Sequence, residues 1–327
     1  MAPPTATGEH RTMEELTRLE MAHHVDLPEP GSEFQRRARL LQAIWREERG
    51  YPIGRYKPPG REERPMGSLL AMPWAKESLR NYLTDPIREI VYSEVVGPNR
   101  DKQKVYKPPR IFSNLLSSQP LCFNLAGELR RDLGLAALVL SDLVGEDVAG
   151  VTRIEFEHSP GRCSPTYTND GSAFDIFIEF VRRGGGSGFV GIEGKYHEPL
   201  LADRGRCNPL YSQRAVEMGC FMPDHLDYLG ESALRQVWRD HLLAGSLMMA
   251  HGYESGVCVL LHPRDNTVWE DAATEYRGCL TDESTFTEWI LEDVVDALRR
   301  HTAAEWVGLF HDRYLAFGKV DDALRSA

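Results

Sequence analysis

The chain predicts an α/β fold, helices flanking a mixed central sheet, and three observations carry that expectation. Residues 172–198 read SAFDIFIEFVRRGGGSGFVGIEGKYHE, two apolar strands joined by a glycine-rich turn. Residues 117–134, SSQPLCFNLAGELRRDLG, open with serines and a proline suited to a helix start and then space Leu121, Leu125, Leu129 and Leu133 along one helical face. Residues 231–250, ESALRQVWRDHLLAGSLMMA, give a second amphipathic helix that becomes apolar all round, and GVCVLL from Gly256 to Leu261 follows as a buried strand.

The remaining elements fill in around these. VTRIEFEHSPG, from Val151 to Gly161, alternates and stops at Pro160-Gly161, so it reads as a strand ending in a turn. The core order is therefore helix, three strands, helix, strand, over about residues 117–262. Thr285-Phe-Thr-Glu288 has the pattern of a capping box opening a helix through about Arg300. Thr302-Ala-Ala-Glu305 opens another that ends near Phe317, making 284–318 a helical support. Residues 1–30, rich in Pro, Thr and charge, are expected to be a disordered leader, and 31–327 a single elaborated domain.

Acid stands where hydrophobicity alone would not place it. Side chains alternate along a strand, so Phe174, Ile176, Ile178 and Phe180 share one face and Asp175, Phe177 and Glu179 the other. On the second strand Glu193, Lys195 and His197 fall together. With strands roughly 4.8 Å apart, a simple hairpin register brings Asp175, Glu193 and Lys195 onto one patch. Carboxylates are hard ligands for Mg²⁺ or Mn²⁺, and the Gly194 carbonyl is a further candidate ligand. Lys195 is placed to orient a water or to stabilise charge on a phosphoryl group, and His197 to tune the site or contact phosphate.

Asp175, then seventeen residues, then Glu193-Gly-Lys195, in this order of elements, resembles the PD-(D/E)XK nuclease superfamily. Phe174 stands where the motif's proline would be. The resemblance spans roughly Ser117 to Leu261 and implies a restriction-endonuclease-like core with N-terminal and C-terminal helical additions. It also implies a Mg²⁺- or Mn²⁺-dependent phosphodiester hydrolase with Asp175, Glu193 and Lys195 as its catalytic set. The acid that some branches carry on the first core helix maps to Glu128, and the glutamine on the helix after the lysine strand to Gln236. No tyrosine follows Gln236 at four residues, where Asp240 stands. DNA is the expected substrate. A nuclease acting on RNA and a catalytically silent binding module on the same fold are the alternatives.

Composition narrows the rest. The 327 residues are 42% hydrophobic and 27% charged, with no run of eighteen apolar residues and no hydrophobic signal segment at the start, so a cytoplasmic protein is expected. A homodimer is compatible with this reading. Six scattered cysteines suggest neither a disulfide framework nor a zinc ribbon, and His23-His24 or Cys207, Cys220 and His225 match no standard zinc spacing. Ser164, Ser172 and Ser246 lack the context of a hydrolase nucleophile. The net charge of −11 opposes phosphate binding, whereas the basic stretches 36–64 and 98–110 suggest arms that follow a phosphate backbone.

Overall fold

The computed structural model describes residues 6–58, 60–145, 148–202 and 207–326. Its centre is a five-stranded sheet in the order β3 (Val148–His158), β4 (Phe174–Arg182), β5 (Ser187–Gly194), β6 (Ser255–His262) and β7 (Phe286–Ile290). The first three strands form an antiparallel meander, and β5, β6 and β7 run parallel. A short antiparallel pair, β1 (Ile53–Tyr56) and β2 (Arg64–Leu70), stands apart. A parallel pair needs a crossover, and the helices Pro209–Met218 and Arg235–His251 supply it between β5 and β6. The alternation in β4 and β5 fixes their register, with Ile176 opposite Ile192 and Ile178 opposite Val190.

Each face of the sheet carries its own core. Ile154, Phe156, Ile176, Ile178, Val190 and Ile192 pack against the helices Ser118–Arg131, Leu133–Val144 and Leu291–His301. On the other face Phe177, Phe189 and Leu260 meet Trp238 and Leu242 of the Arg235–His251 helix and Tyr276 of the Thr267–Arg277 helix. Local signals set the helix ends. Asp132 caps the Leu133–Val144 helix by accepting from the Leu135 amide, Asn208 caps Pro209–Met218, and Gly145, Gly219 and Gly252 close helices in the left-handed conformation. Phe174 departs from the alternation and packs with Phe177 and Phe189. The room for its ring comes from Gly191, where an added Cβ would stand 2.5 Å from that ring.

Three expectations are corrected. Residues 286–290 form strand β7 rather than the start of a capped helix, which begins at Leu291. Phe286 and Trp289 lie in the two opposite cores, which a strand's alternation allows, whereas residues three apart in a helix share a face. The leader is a helix from Ala6 to Ala22, and its Leu16 and Leu19 are buried in a third cluster with Leu40, Leu41 and Val320; residues 1–5 lie outside the described ones. Much of the first basic stretch is internal rather than an arm. Arg36 and Arg39 bond Glu20, and Arg46 donates to the Gly67 and Tyr51 carbonyls. Among the described residues, no helix is long and apolar enough to cross a membrane.

Candidate active site

Four elements deliver acid and base to one end of the sheet. The last residues of β5 and the turn after it bring Glu193 and Lys195, the start of β4 brings Asp175, the end of β3 brings Glu157, and the first turns of the Arg235–His251 helix bring Gln236 and Asp240. All six line one cavity of about 460 Å³. Lys107, Arg110, Arg162 and Arg239 also line it, and with Lys195 they face five carboxylates, Glu157, Asp175, Glu193, Glu198 and Asp240.

Glu193 is the hub. Its Oε1 accepts from Lys195 Nζ at 2.6 Å and from Gln236 Nε2 at 2.6 Å. The Asp175 carboxylate accepts from the Gly194 amide at 3.0 Å, which ties the two strand ends together. Lys195 leaves β5 with its amide on the Leu261 carbonyl, 2.7 Å, and its ammonium lies 5.1 Å from the centre of the Trp269 ring. Burial pulls that ammonium down, but the charge and hydrogen bond of Glu193, backed by Glu198 and Asp175, outweigh it and hold Lys195 above its ordinary value. Burial and then the neighbouring Glu193 push the Asp175 carboxyl well above the usual carboxylate range, and the same two causes raise Asp240.

The flanking groups fix this arrangement. Glu198 accepts from the Ser118, Tyr196 and His197 amides and pairs with Arg110 at 2.5 Å. Burial alone would raise Glu198; Arg110 and Lys195 bring it below its usual value. Glu157 pairs with Arg162 at 2.7 Å and accepts from Gln119 at 3.3 Å. Asp240 is 2% exposed, and its Oδ2 has no hydrogen-bond partner.

The structure thus brings Asp175, Glu193, Lys195 and Gln236 together and separates two other expected residues. Glu128 accepts from the Thr84 hydroxyl and does not line the cavity, because the helix from Ser118 to Arg131 presents its first turn, with Ser118 and Gln119, to the site. His197 turns to Arg39, 3.3 Å away, because the strand ends at Gly194 and alternation no longer holds beyond it. Burial and Arg39 lower its pKa to about 4. Glu157 and Asp240 are absent from the sequence expectation. The signal for Glu157 was an acid on the alternating strand just before Pro160-Gly161, and for Asp240 an acid one helical turn after Gln236. Among the described residues, no three His, Cys, Asp or Glu side chains form a preformed metal cage.

A family model for the PD-(D/E)XK nuclease superfamily matches residues 29–316. The chain belongs to that superfamily. Strands β3 to β6 of its mixed sheet, with the helices that flank them, are the restriction-endonuclease-like core, extended here by β7 and by helices at both ends. Searches of curated proteins and of solved structures return no match.

Proposed function

We propose that the protein is a Mg²⁺- or Mn²⁺-dependent nuclease that hydrolyses phosphodiester bonds, with DNA as its substrate. One observation carries this reading: Glu193 is held between Lys195 and Gln236, beside Asp175, in one cavity at the strand ends. The donor set fits a hard divalent cation. Asp175 and Glu193 are recessed carboxylates, Glu193 disfavours the charge of Asp175, and a cation held there would relieve that repulsion. Asp175, Glu193 and the Gly194 carbonyl are the ligands assigned to it. When bound, it supplies an acidified water and neutralises charge on the phosphoryl oxygens.

The chain's own residues do the rest. Gln236 fixes the rotamer of Glu193, and Glu193 in turn keeps the Lys195 ammonium charged and aimed into the cavity. Lys195 then offers its protons to the attacking water or to a phosphoryl oxygen as negative charge grows there. Lys107 and Arg110 at the wall receive neighbouring phosphates.

The test is digestion of linear, circular and single-stranded DNA, and of RNA, with Mn²⁺, Mg²⁺ or EDTA. Cleavage of DNA that needs the cation is expected, and Lys195→Ala should lower its rate by roughly 10²- to 10³-fold with an unchanged circular dichroism spectrum. A wild-type protein that binds nucleic acid in Ca²⁺ but cleaves none of these substrates would make it a silent binding module. Cleavage of RNA alone would replace the substrate and keep the chemistry.

A further inference from the structure

We propose that a second pocket, between the N-terminal elements and the segment after Lys195, is a nucleotide subsite that takes one unstacked nucleotide of the substrate beside the bond that is cleaved. This rests on the nuclease reading above and adds a substrate class to it, single-stranded rather than stacked DNA. The pocket holds about 310 Å³, at the lower end of the ~300–1,000 Å³ of small-ligand sites. The helix Glu33–Glu48 lends it Arg39, β1 lends Tyr56, and β2 lends Met66 and Leu69; Asn114 and Leu116 complete it. Arg110, Glu198 and Pro199 line both this pocket and the cavity of Glu193 and Lys195, so the two spaces adjoin. A strand with one phosphate in the cavity therefore has its next nucleotide at the pocket.

The lining suits both ends of a nucleotide. Met66, Leu69 and Leu116 give an apolar wall, and Tyr56, 37% exposed, offers its ring to a base. The polar side rests on Arg39, which is 2% exposed and lines the pocket. Its Nη atoms donate to His197 Nε2, Glu20 and the Pro30 carbonyl, and its Nε has no hydrogen-bond partner. Glu20 also accepts from Arg36, so it offsets only part of the Arg39 charge. A buried guanidinium with a donor left over calls for an anion, and a phosphate meets it. Glu198 is the single acid among the described lining residues, and its oxygens are already taken by Arg110 and by the Ser118, Tyr196 and His197 amides. The Asn114 side-chain oxygen is held by the Leu116 amide, which leaves its NH₂ group to donate to the ligand. A base inside a pocket has left its stack, and a single strand gives it up at less cost than a duplex.

Binding of dAMP to the full chain in EDTA, read by isothermal titration calorimetry, tests this apart from cleavage. Wild type should bind dAMP more tightly than deoxyadenosine or inorganic phosphate, each of which makes only part of the contacts. Tyr56→Ala should weaken dAMP roughly tenfold. Leu69→Trp, which fills the pocket, should abolish dAMP binding, and Lys195→Ala, in the neighbouring cavity, should leave it unchanged. Leu69→Trp should also weaken a single-stranded oligonucleotide and spare a blunt duplex; equal weakening of the two overturns the single-stranded class. No dAMP binding by wild type, equal binding by wild type and Leu69→Trp, or a loss in Lys195→Ala overturns the subsite, whether or not the protein cleaves DNA. Deoxyadenosine or phosphate binding as tightly as dAMP overturns it as well. A protein that binds dAMP in this pattern and cleaves no nucleic acid keeps the subsite and loses the nuclease reading. If Leu69→Trp does not fold, Tyr56→Ala decides, and an unchanged dAMP affinity there overturns the inference.

Discussion

Two buried charged regions of this molecule are built on opposite principles. Arg313 is fully buried, and neutral acceptors surround it: Gln42 Oε1, the Asn81 carbonyl and side chain, and the Leu115 carbonyl, with the Trp45 ring at 4.5 Å. The strand-end cavity instead gathers five carboxylates, Glu157, Asp175, Glu193, Glu198 and Asp240, and leaves an Asp240 oxygen with no donor. A charge whose hydrogen bonds are met by the fold is architecture, because nothing from outside improves it. A charge whose bonds are left unmet costs stability in the free protein and is retained where a ligand meets them.

The largest effect should come from the matched region. Arg313→Met would leave the Gln42 and Asn81 side-chain oxygens and the Leu115 carbonyl without this donor in a dry interior, while the Asn81 carbonyl keeps the Asn124 amide, and the loss should reach about 3–5 kcal/mol in urea unfolding. A loss under about 1 kcal/mol would show that those acceptors find other partners and would break the contrast.

The next effect sharpens the contrast at neighbouring residues. His241, beside Asp240, is completely buried with its ring nitrogens on the Tyr276 and Thr285 hydroxyls, and burial lowers its pKa to about 3. The unfolded chain takes up a proton near pH 6.5 and the folded chain resists it, so this stability is full above that pH and is lost as pH falls towards 3. By pH 5 the loss should be about 2 kcal/mol, and His241→Gln should remove that part of the acid sensitivity. Identical pH profiles in chemical denaturation would rule out His241 as its source.

The smallest effect belongs to the unmatched region and carries the opposite sign. Asp240→Asn removes a buried carboxyl crowded by Glu193, and in EDTA it should raise stability by about 1 kcal/mol while lowering metal-dependent cleavage. Thermal unfolding beside a cleavage assay checks both. A destabilisation would place Asp240 with Arg313, as part of the framework.

Legibility in the sequence followed the range of the interaction. Asp175 and Glu193 were readable because a strand's period and a short hairpin fix their register locally, and Gln236 because it opens a periodic helix. Glu128 and His197 were misplaced for a complementary reason. A helix period gives a face but not the neighbour that face meets, and Thr84 takes Glu128. Alternation gives a direction only while the strand lasts, and β5 stops before His197. The capping-box pattern at Thr285 lost to β6, whose free edge accepted residues 286–290 as a parallel strand.

By itself, then, the sequence determined the α/β class, the hairpin, the pairing of Asp175 with Glu193 and Lys195, and the superfamily these residues point to, all through periods and spacings set by backbone geometry. Only the tertiary structure decided that Arg36, Arg39 and Arg46 are internal, that the first helix packs on the last, and that Glu157 and Asp240 join the cavity. Those outcomes depend on which distant residues satisfy a buried charge. That is settled by desolvation among partners far apart in the chain, and no local pattern records it.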